Sequence, residues 1–128
     1  MKHIVIFREP FFSMVLSGEK TIESRWSMKK IAPFCKVKIG DELLLKQTNH
    51  DVTAIAKVKD VKYFELTPLI AGEIRAKWSK EIGIDKFENW ETYKNKRYCT
   101  LIWLEDVSKI ERLKVERSHG CGWIVLKD

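Results

Sequence analysis

The stretch from Ser17 to Trp26, SGEKTIESRW, constrains the fold of this chain more than any other. Gly18 stands where a left-handed cap is expected to end a short helix, because glycine adopts positive φ without steric cost. A strand is predicted to follow, and it carries four reactive or ligand-binding side chains: Lys20, Thr21, Glu23 and Arg25. Alternate residues of a strand share a face, so the last three are expected to point the same way.

The length and composition predict one domain spanning residues 1–128. A chain of this size can bury one core, and 45% hydrophobic with 33% charged residues is ordinary for a globular protein. The sequence has no apolar run near the roughly 20 residues that a membrane span needs. Its start lacks the small-residue cleavage site of a signal peptide and is predicted to be a strand. We therefore expect a cytoplasmic protein without a membrane partner.

The three cysteines, Cys35, Cys99 and Cys121, indicate neither a disulfide framework nor a zinc site. Their number is odd, their spacings are wide and no C-x-x-C occurs. Cys99 lies in an apolar run and is interpreted as a small core residue. The five tryptophans are also expected to lie mostly in the core. No metal or cofactor is predicted.

Periodicity and turn residues predict an α+β order of elements. Strands are expected over His3–Phe7, Lys20–Trp26, Glu42–Lys46, Val52–Phe64, Tyr98–Val107, Glu111–Glu116 and Cys121–Leu126. Helices are expected from Pro10 to Leu16, from an N-cap at Thr67 to Ile82, and from a capping box formed by Asp85 and Glu88. The strands over 42–46 and 52–64 form a predicted hairpin. Nothing indicates a parallel βαβ array, so several strands with helices between them favour a closed or nearly closed barrel.

The stretch SGEKTIESRW resembles the G-x-K-T-x-E-x-R signature of ASCH domains, which belong to the PUA-like superfamily. KIGDELLLK resembles that family's G-D turn and following strand, TAIAKVKDVKYFE its next strand, and the terminal strands with GWIVL also fit. The likeness covers most of the chain. It implies a small PUA-like β-barrel with inserted helices, a cleft lined by the Lys-Glu-Arg strand, and binding of RNA or a nucleoside.

The resemblance also implies a possible enzyme. Some ASCH proteins are amidohydrolases that deacetylate N4-acetylcytidine, and a few are ribonucleases. The amidohydrolases resemble this chain at Lys20 but carry a threonine nucleophile where this sequence has Glu23, which puts that chemistry in doubt. A glutamate completes their site, and three residues are conceivable counterparts: Glu65, Glu73 and Glu81.

The charged strand supports two interpretations of each residue. Lys20 is either a phosphate ligand or base, or a surface lysine. Glu23 either accepts hydrogen bonds from an exocyclic amine or acts as a base, and Arg25 offers a planar fork for phosphate or a base edge. Alternatively, the two pair only with each other and close the barrel. Thr21 is the one hydroxyl of that row able to replace the missing nucleophile.

A basic stretch follows the strand. Between Lys20 and Lys38 the sequence has six basic residues and one acidic residue, within a chain of net charge +6. Such a concentration fits either a phosphate-bearing partner or a solvated loop. Trp26 is a candidate for stacking on a base, and Lys29 and Lys30 are candidates for phosphate contacts.

One further stretch, Ser118 to Gly122, places His119 two residues from Cys121. A histidine near a thiol can act in acid–base chemistry, but the glycines are more typical of a turn.

Three hypotheses follow from the sequence. The first is a binding module for RNA or a nucleotide, with Lys20, Arg25, Trp26, Lys29 and Lys30 as the binding residues. The second is a hydrolase, an amidohydrolase or ribonuclease, that uses Lys20, Glu23 and Thr21. The third is a barrel that binds another protein, which a neutral cleft would favour.

Overall fold

The computed structural model of the protein describes residues 1–115 and 122–126. These residues form six strands, three α-helices and one 3₁₀ turn. The strands are β1 (Lys2–Phe7), β2 (Ile22–Ser27), β3 (Glu42–Gln47), β4 (Val52–Glu65), β5 (Tyr98–Leu113) and β6 (Trp123–Leu126). The helices are α1 (Phe11–Ser17), α2 (Pro68–Ile82) and α3 (Trp90–Lys94), and the 3₁₀ turn is Ile84–Lys86.

The six strands form one sheet in the order β2-β5-β4-β3-β1-β6. The sheet curls into a half-barrel, so the α+β barrel predicted from the sequence is confirmed. β3 and β4 pair antiparallel, as the predicted hairpin requires. β1 and β3 pair in parallel, from Lys2 opposite Glu42 to Phe7 opposite Gln47. This pair was not expected; α1, β2 and the loop before β3 provide the crossover connection that a parallel pair needs.

The two longest strands, β4 and β5, are responsible for much of the curl. Their pairing contains three irregularities of register, near Val52, Ile55 and Val58. Extra residues of this kind bend a strand and increase its twist. The prediction of separate strands over 98–107 and 111–116 is wrong, because β5 continues unbroken to Leu113 beside β4; Glu116 lies outside the described residues.

The helix ends follow the predicted local chemistry. Gly18 and Gly83 adopt φ of 83° and 81° at the ends of α1 and α2. The Thr67 side chain accepts a hydrogen bond from the Ile70 N–H at the start of α2. The predicted helix from Asp85 is wrong: a 3₁₀ turn occupies Ile84–Lys86, and α3 begins only after Asn89, whose side chain caps it. Among the described residues, no helix has the length and apolar composition that a membrane crossing requires.

The curled sheet separates two main apolar clusters. One fills the inside of the half-barrel, where alternate residues of β4 (Ala54, Ala56 and Val58) are fully buried. The other lies between the sheet and α2 and contains six buried residues: Ile22, Ile74, Ile82, Ile84, Cys99 and Leu101. The core position predicted for Cys99 is thus confirmed. The expectation for the tryptophans is wrong, because Trp123 is buried but the other four are half-buried at the edge of the second cluster.

A buried polar network joins the two ends of the described chain. The indole N–H of Trp123 donates to His3 Nδ1 at 3.0 Å, and His3 Nε2 lies 2.8 Å from Asp41 Oδ2. Because Nδ1 accepts from the indole, Nε2 carries the proton that is donated to the carboxylate. Burial alone would raise the pKa of Asp41, but hydrogen bonds from His3 and from the Lys38 N–H hold it below its usual value. The network fixes β6 against β1 and is structural.

Candidate functional site

A cavity of about 480 Å³ opens at the end of the half-barrel where β1 and β3 finish. This volume falls within the range of about 300–1,000 Å³ that is typical of small-molecule sites. Its apolar wall is aromatic and comes from β1, α1, β2 and the segment before β5: Phe7, Phe11, Trp26, Phe87 and Tyr93. The charged strand predicted from the sequence forms another wall.

Lys20 is buried beside this cavity, with 2% of its surface exposed. It lies between the cap at Gly18 and the first residue of β2, so its side chain is drawn inward as the chain turns. Its ammonium donates to the carbonyls of Ile22 at 2.9 Å and Ile82 at 2.5 Å, and lies 3.2 Å from Glu23 Oε1. Three acceptors around one nitrogen require the protonated form. Burial nevertheless lowers the pKa of Lys20, and the charge of Glu23 opposes that effect.

Glu23 lies on β2, between Lys20, which precedes the strand, and Arg25, which belongs to it. Its Oε1 accepts from the Ser24 N–H at 2.9 Å, and its Oε2 accepts from Arg25 Nε at 3.0 Å and Nη2 at 2.8 Å. Burial alone would raise the pKa of Glu23, but the charges of Arg25 and Lys20 and their hydrogen bonds hold it below its usual value. Glu23 is therefore ionised at neutral pH, with both oxygens occupied.

Arg25 closes the gap between the two edges of the sheet. Besides Glu23, its guanidinium donates to the carbonyls of Ile6 and Gly122, both at 2.9 Å. It also lies over the rings of Phe7 and Trp123, at 5.6 and 5.5 Å from their centroids. Glu23 and Arg25 therefore pair, but not only with each other as the alternative interpretation had it, because Glu23 also contacts Lys20 and Arg25 also donates to two backbone carbonyls.

The other residues predicted for the site do not all line the cavity. Trp26 lines the cavity, and its indole N–H donates to Ser24 Oγ at 2.8 Å. Thr21 is exposed and does not line it, because β2 begins only at Ile22 and Thr21 falls outside the strand's alternation. Lys29 and Lys30 are exposed in the following loop, outside the cavity, with the Lys30 ammonium 5.7 Å from the centre of the Tyr98 ring.

The three glutamates considered as partners of Lys20 do not reach the cavity. Glu65 and Glu73 are exposed at the end of β4 and on α2, and Glu81 is half-buried near the end of α2. Residues 118–121, with His119 and Cys121, lie outside the described residues. No cluster of histidine, cysteine or carboxylate side chains that could hold a metal occurs within residues 1–115 and 122–126.

Several residues of the cavity were not singled out from the sequence. Lys46 is buried, with 5% of its surface exposed, and lines the cavity at the end of β3. Arg8 lies at the rim, where Nη2 is 3.5 Å from the Tyr93 hydroxyl. Thr48 and Asn49 complete this side. The sequence indicates these residues only weakly, because each lies near the end of a strand or in a turn. Only the curl of the sheet brings them together.

The charged residues that line the cavity are mostly cations. Four basic side chains (Arg8, Lys20, Arg25 and Lys46) stand against one carboxylate, Glu23. Glu23 is already paired with two of these cations, so the cavity retains a positive excess. Aromatic walls with a positive excess favour a planar or apolar ligand that carries negative charge.

The curled half-barrel of six strands with its three helices has the PUA-like fold predicted from the sequence. The chain belongs to the ASCH domain family, whose model matches residues 5–121. The resemblance seen in the sequence is thereby confirmed. No curated protein matches the sequence.

Solved ASCH structures share the fold at low sequence identity. The ASCH protein from Zymomonas mobilis is 14% identical, with a TM-score of 0.66 over 90% of this chain and 74% of that chain. A hypothetical protein, PH0355, is 16% identical, with a TM-score of 0.57 over 86% of this chain and 100% of that chain. Identities this low relate the folds and carry no residue roles across.

Proposed function

We propose that this ASCH domain binds RNA by holding one nucleotide in the cavity. ASCH domains generally bind RNA. The observation that carries the proposal for this chain is the composition of the cavity, with five aromatic side chains and four cations against one carboxylate. A base stacks on aromatic rings, and a phosphate is attracted by the uncompensated positive charge.

In this proposal Lys20, Glu23 and Arg25 support the cavity and do not contact the ligand. Lys20 and Arg25 donate to protein oxygens, and Glu23 accepts from protein donors. Buried charges held in this way shape a wall and supply a positive field. Direct contact with a phosphate falls instead to the exposed rim, where the Arg8 side chain is 48% exposed. Its Nη1 lies 3.8 Å from Glu88 Oε2, so a phosphate would replace that exposed carboxylate as the partner of Arg8.

The experiment compares a nucleoside monophosphate with the same nucleoside, titrated into the protein by calorimetry. We expect the monophosphate to bind more tightly than the nucleoside. The substitution Arg8→Gln should weaken monophosphate binding more than nucleoside binding. Arg112→Gln is the matched control, since its side chain is 78% exposed near the far end of β5. If neither compound binds at millimolar concentration, the proposal fails.

Hydrolysis of an acylated nucleoside or of RNA is the second candidate, and Lys20 favours it. A buried lysine with a lowered pKa next to a carboxylate is a pattern found at catalytic sites. Chemistry would require a substrate to replace one of the contacts that Lys20 or Glu23 now makes, so we rank binding first. Turnover of N4-acetylcytidine or RNA by the native protein, lost in Lys20→Met while nucleotide binding persists, would establish the enzyme.

A further inference from the structure

Cations lie over half-buried aromatic rings on the side of the sheet that α2 covers. Lys62 lies 5.5 Å from the ring centre of Trp78 and 5.7 Å from that of Trp103. Lys77 lies 4.7 Å from the ring centre of Trp78. Arg75 lies 4.9 Å from the ring centre of Trp90. We call these six residues the cationic aromatic strip.

The strip holds four pairs of a cation and an aromatic ring. At an exposed site such a contact is worth only about 0.5–1 kcal/mol, so it leaves the cation able to bind another ligand. Its three cations are exposed, and within residues 1–115 and 122–126 none lies within 4 Å of a carboxylate. Their charge is therefore available to a partner.

The strip is continuous with the cavity. Trp90 meets Trp26 edge to face, with ring centres 5.7 Å apart, and Trp26 lines the cavity. Trp78 and Trp103 meet in the same way at 5.5 Å. All four rings pack against the apolar cluster beneath α2, which fixes them on one face of the molecule. The contact between Trp26 and Trp90 therefore links the cavity wall to the end of the strip that carries Arg75.

We propose that the cationic aromatic strip binds the nucleotides that flank the one in the cavity, and that the partner is single-stranded RNA. Its phosphates would contact Lys62, Arg75 and Lys77, and its bases would lie against the tryptophan rings. Single strands expose base faces for such contacts, whereas a duplex buries them. The proposal rests on the proposed function, because it assumes that one nucleotide occupies the cavity.

The test compares a nucleoside monophosphate, a single-stranded RNA of ten nucleotides and its duplex. The double variant Lys62→Gln, Lys77→Gln removes two charges from the strip. Its control is Lys109→Gln, Lys114→Gln, which removes two exposed charges at and just beyond the end of β5, where no ring contact occurs among the described residues. We expect the strip variant to bind the single strand about tenfold more weakly and its salt slope to fall by about 1.4, at roughly 0.7 per lost phosphate contact. Monophosphate binding should be unchanged in both variants.

The outcomes separate the two proposals. If the monophosphate binds but the single strand binds no more tightly, or if strip and control variants weaken it equally, the strip proposal is overturned and the cavity proposal stands. Equal affinity for the duplex and the single strand also overturns the strip proposal, because it shows that the RNA is bound by its charge and not by stacking of its bases. Polyglutamate is titrated as an acidic polypeptide; if it binds and the single strand does not, the RNA partner is excluded. If neither the monophosphate nor the RNA binds, both proposals fail.

Discussion

The guanidinium of Arg25 donates to the carbonyl of Gly122 at 2.9 Å and so joins the two edges of the sheet. Arg25 lies on β2 at one edge, and Gly122 directly precedes β6 at the other. The Ile6 N–H donates to the same carbonyl at 2.9 Å. One charged side chain therefore spans the seam of the half-barrel beside the cavity.

This relationship predicts that Gly122→Ala destabilises the fold. A β-carbon at Gly122 would lie 2.5 Å from Arg25 Nη1, so the end of the Arg25 side chain has to shift and its hydrogen bond to the Gly122 carbonyl is disturbed. A hydrogen bond to a charged group is worth about 1.5–3 kcal/mol, so we expect a loss of at most that size in the free energy of unfolding, measured with urea. The control is Gly72→Ala on α2, where a β-carbon meets nothing within 4 Å. Because alanine favours a helix more than glycine does, this variant should gain as much as about 1 kcal/mol in the free energy of unfolding. Equal stability of Gly122→Ala and the native protein would show that the seam does not depend on Arg25.

Glu23→Gln should be more damaging than its small change in shape suggests. The amide fills the same space but leaves Lys20 and Arg25 without their shared counter-charge in a buried site. Breaking a buried pair by removing one partner typically costs about 3–5 kcal/mol. Glu91→Gln is the control, because Glu91 lies 3.2 Å from Lys94 with its side chain 72% exposed, and such pairs contribute about 1 kcal/mol or less. Comparable losses in urea unfolding of the two variants would contradict the inferred role.

The pH dependence of stability should also reveal the contribution of Glu23. The pKa of Glu23 is lowered from its ordinary 4.5, so the folded protein binds its proton less readily than the unfolded chain does. Its contribution is complete above pH 4.5 and is lost as the pH falls through the folded pKa. The pKa of Asp41 is also lowered, from its ordinary 3.8, so Asp41 likewise stabilises the fold less as the pH falls. We expect the free energy of unfolding to fall below pH 4.5, and to fall less steeply in Glu23→Gln; parallel pH profiles would exclude Glu23 as the source.

Features fixed by a few neighbouring residues could be predicted from the sequence. Gly18, Gly83 and the pair Thr67-Pro68 set their helix ends through local geometry, and the structure places all of them as expected. The charged motif on β2 could also be identified, because its spacing resembles a known family. The start of α3 could not be predicted. Both Asp85 and Asn89 are suitable N-cap residues, and the tertiary packing decides between them.

The partners of the charged residues could not be predicted, because they are distant in sequence. Lys20 donates to a carbonyl 62 residues away, and Arg25 to one 97 residues away. A strand pattern indicates which side chains share a face but not which carbonyls the curl of a sheet brings to them. The same limit applies to Arg8 and Lys46, which reach the cavity only because the curl of the sheet brings the ends of β1 and β3 toward β2.

The two described cysteines should differ sharply in reactivity. Cys35 is exposed in the loop before β3, whereas Cys99 is fully buried on β5. Burial, assisted by the charge of Glu23, raises the pKa of the Cys99 thiol, and the thiolate is the reactive form. In Cys121→Ser protein, a chromogenic disulfide reagent should therefore modify one thiol rapidly and the second only when denaturant unfolds the chain. Adding Cys35→Ser should abolish the rapid phase and leave the slow one; a rapid phase that persists would mean that Cys99 is accessible and that the cluster beneath α2 opens in the native protein.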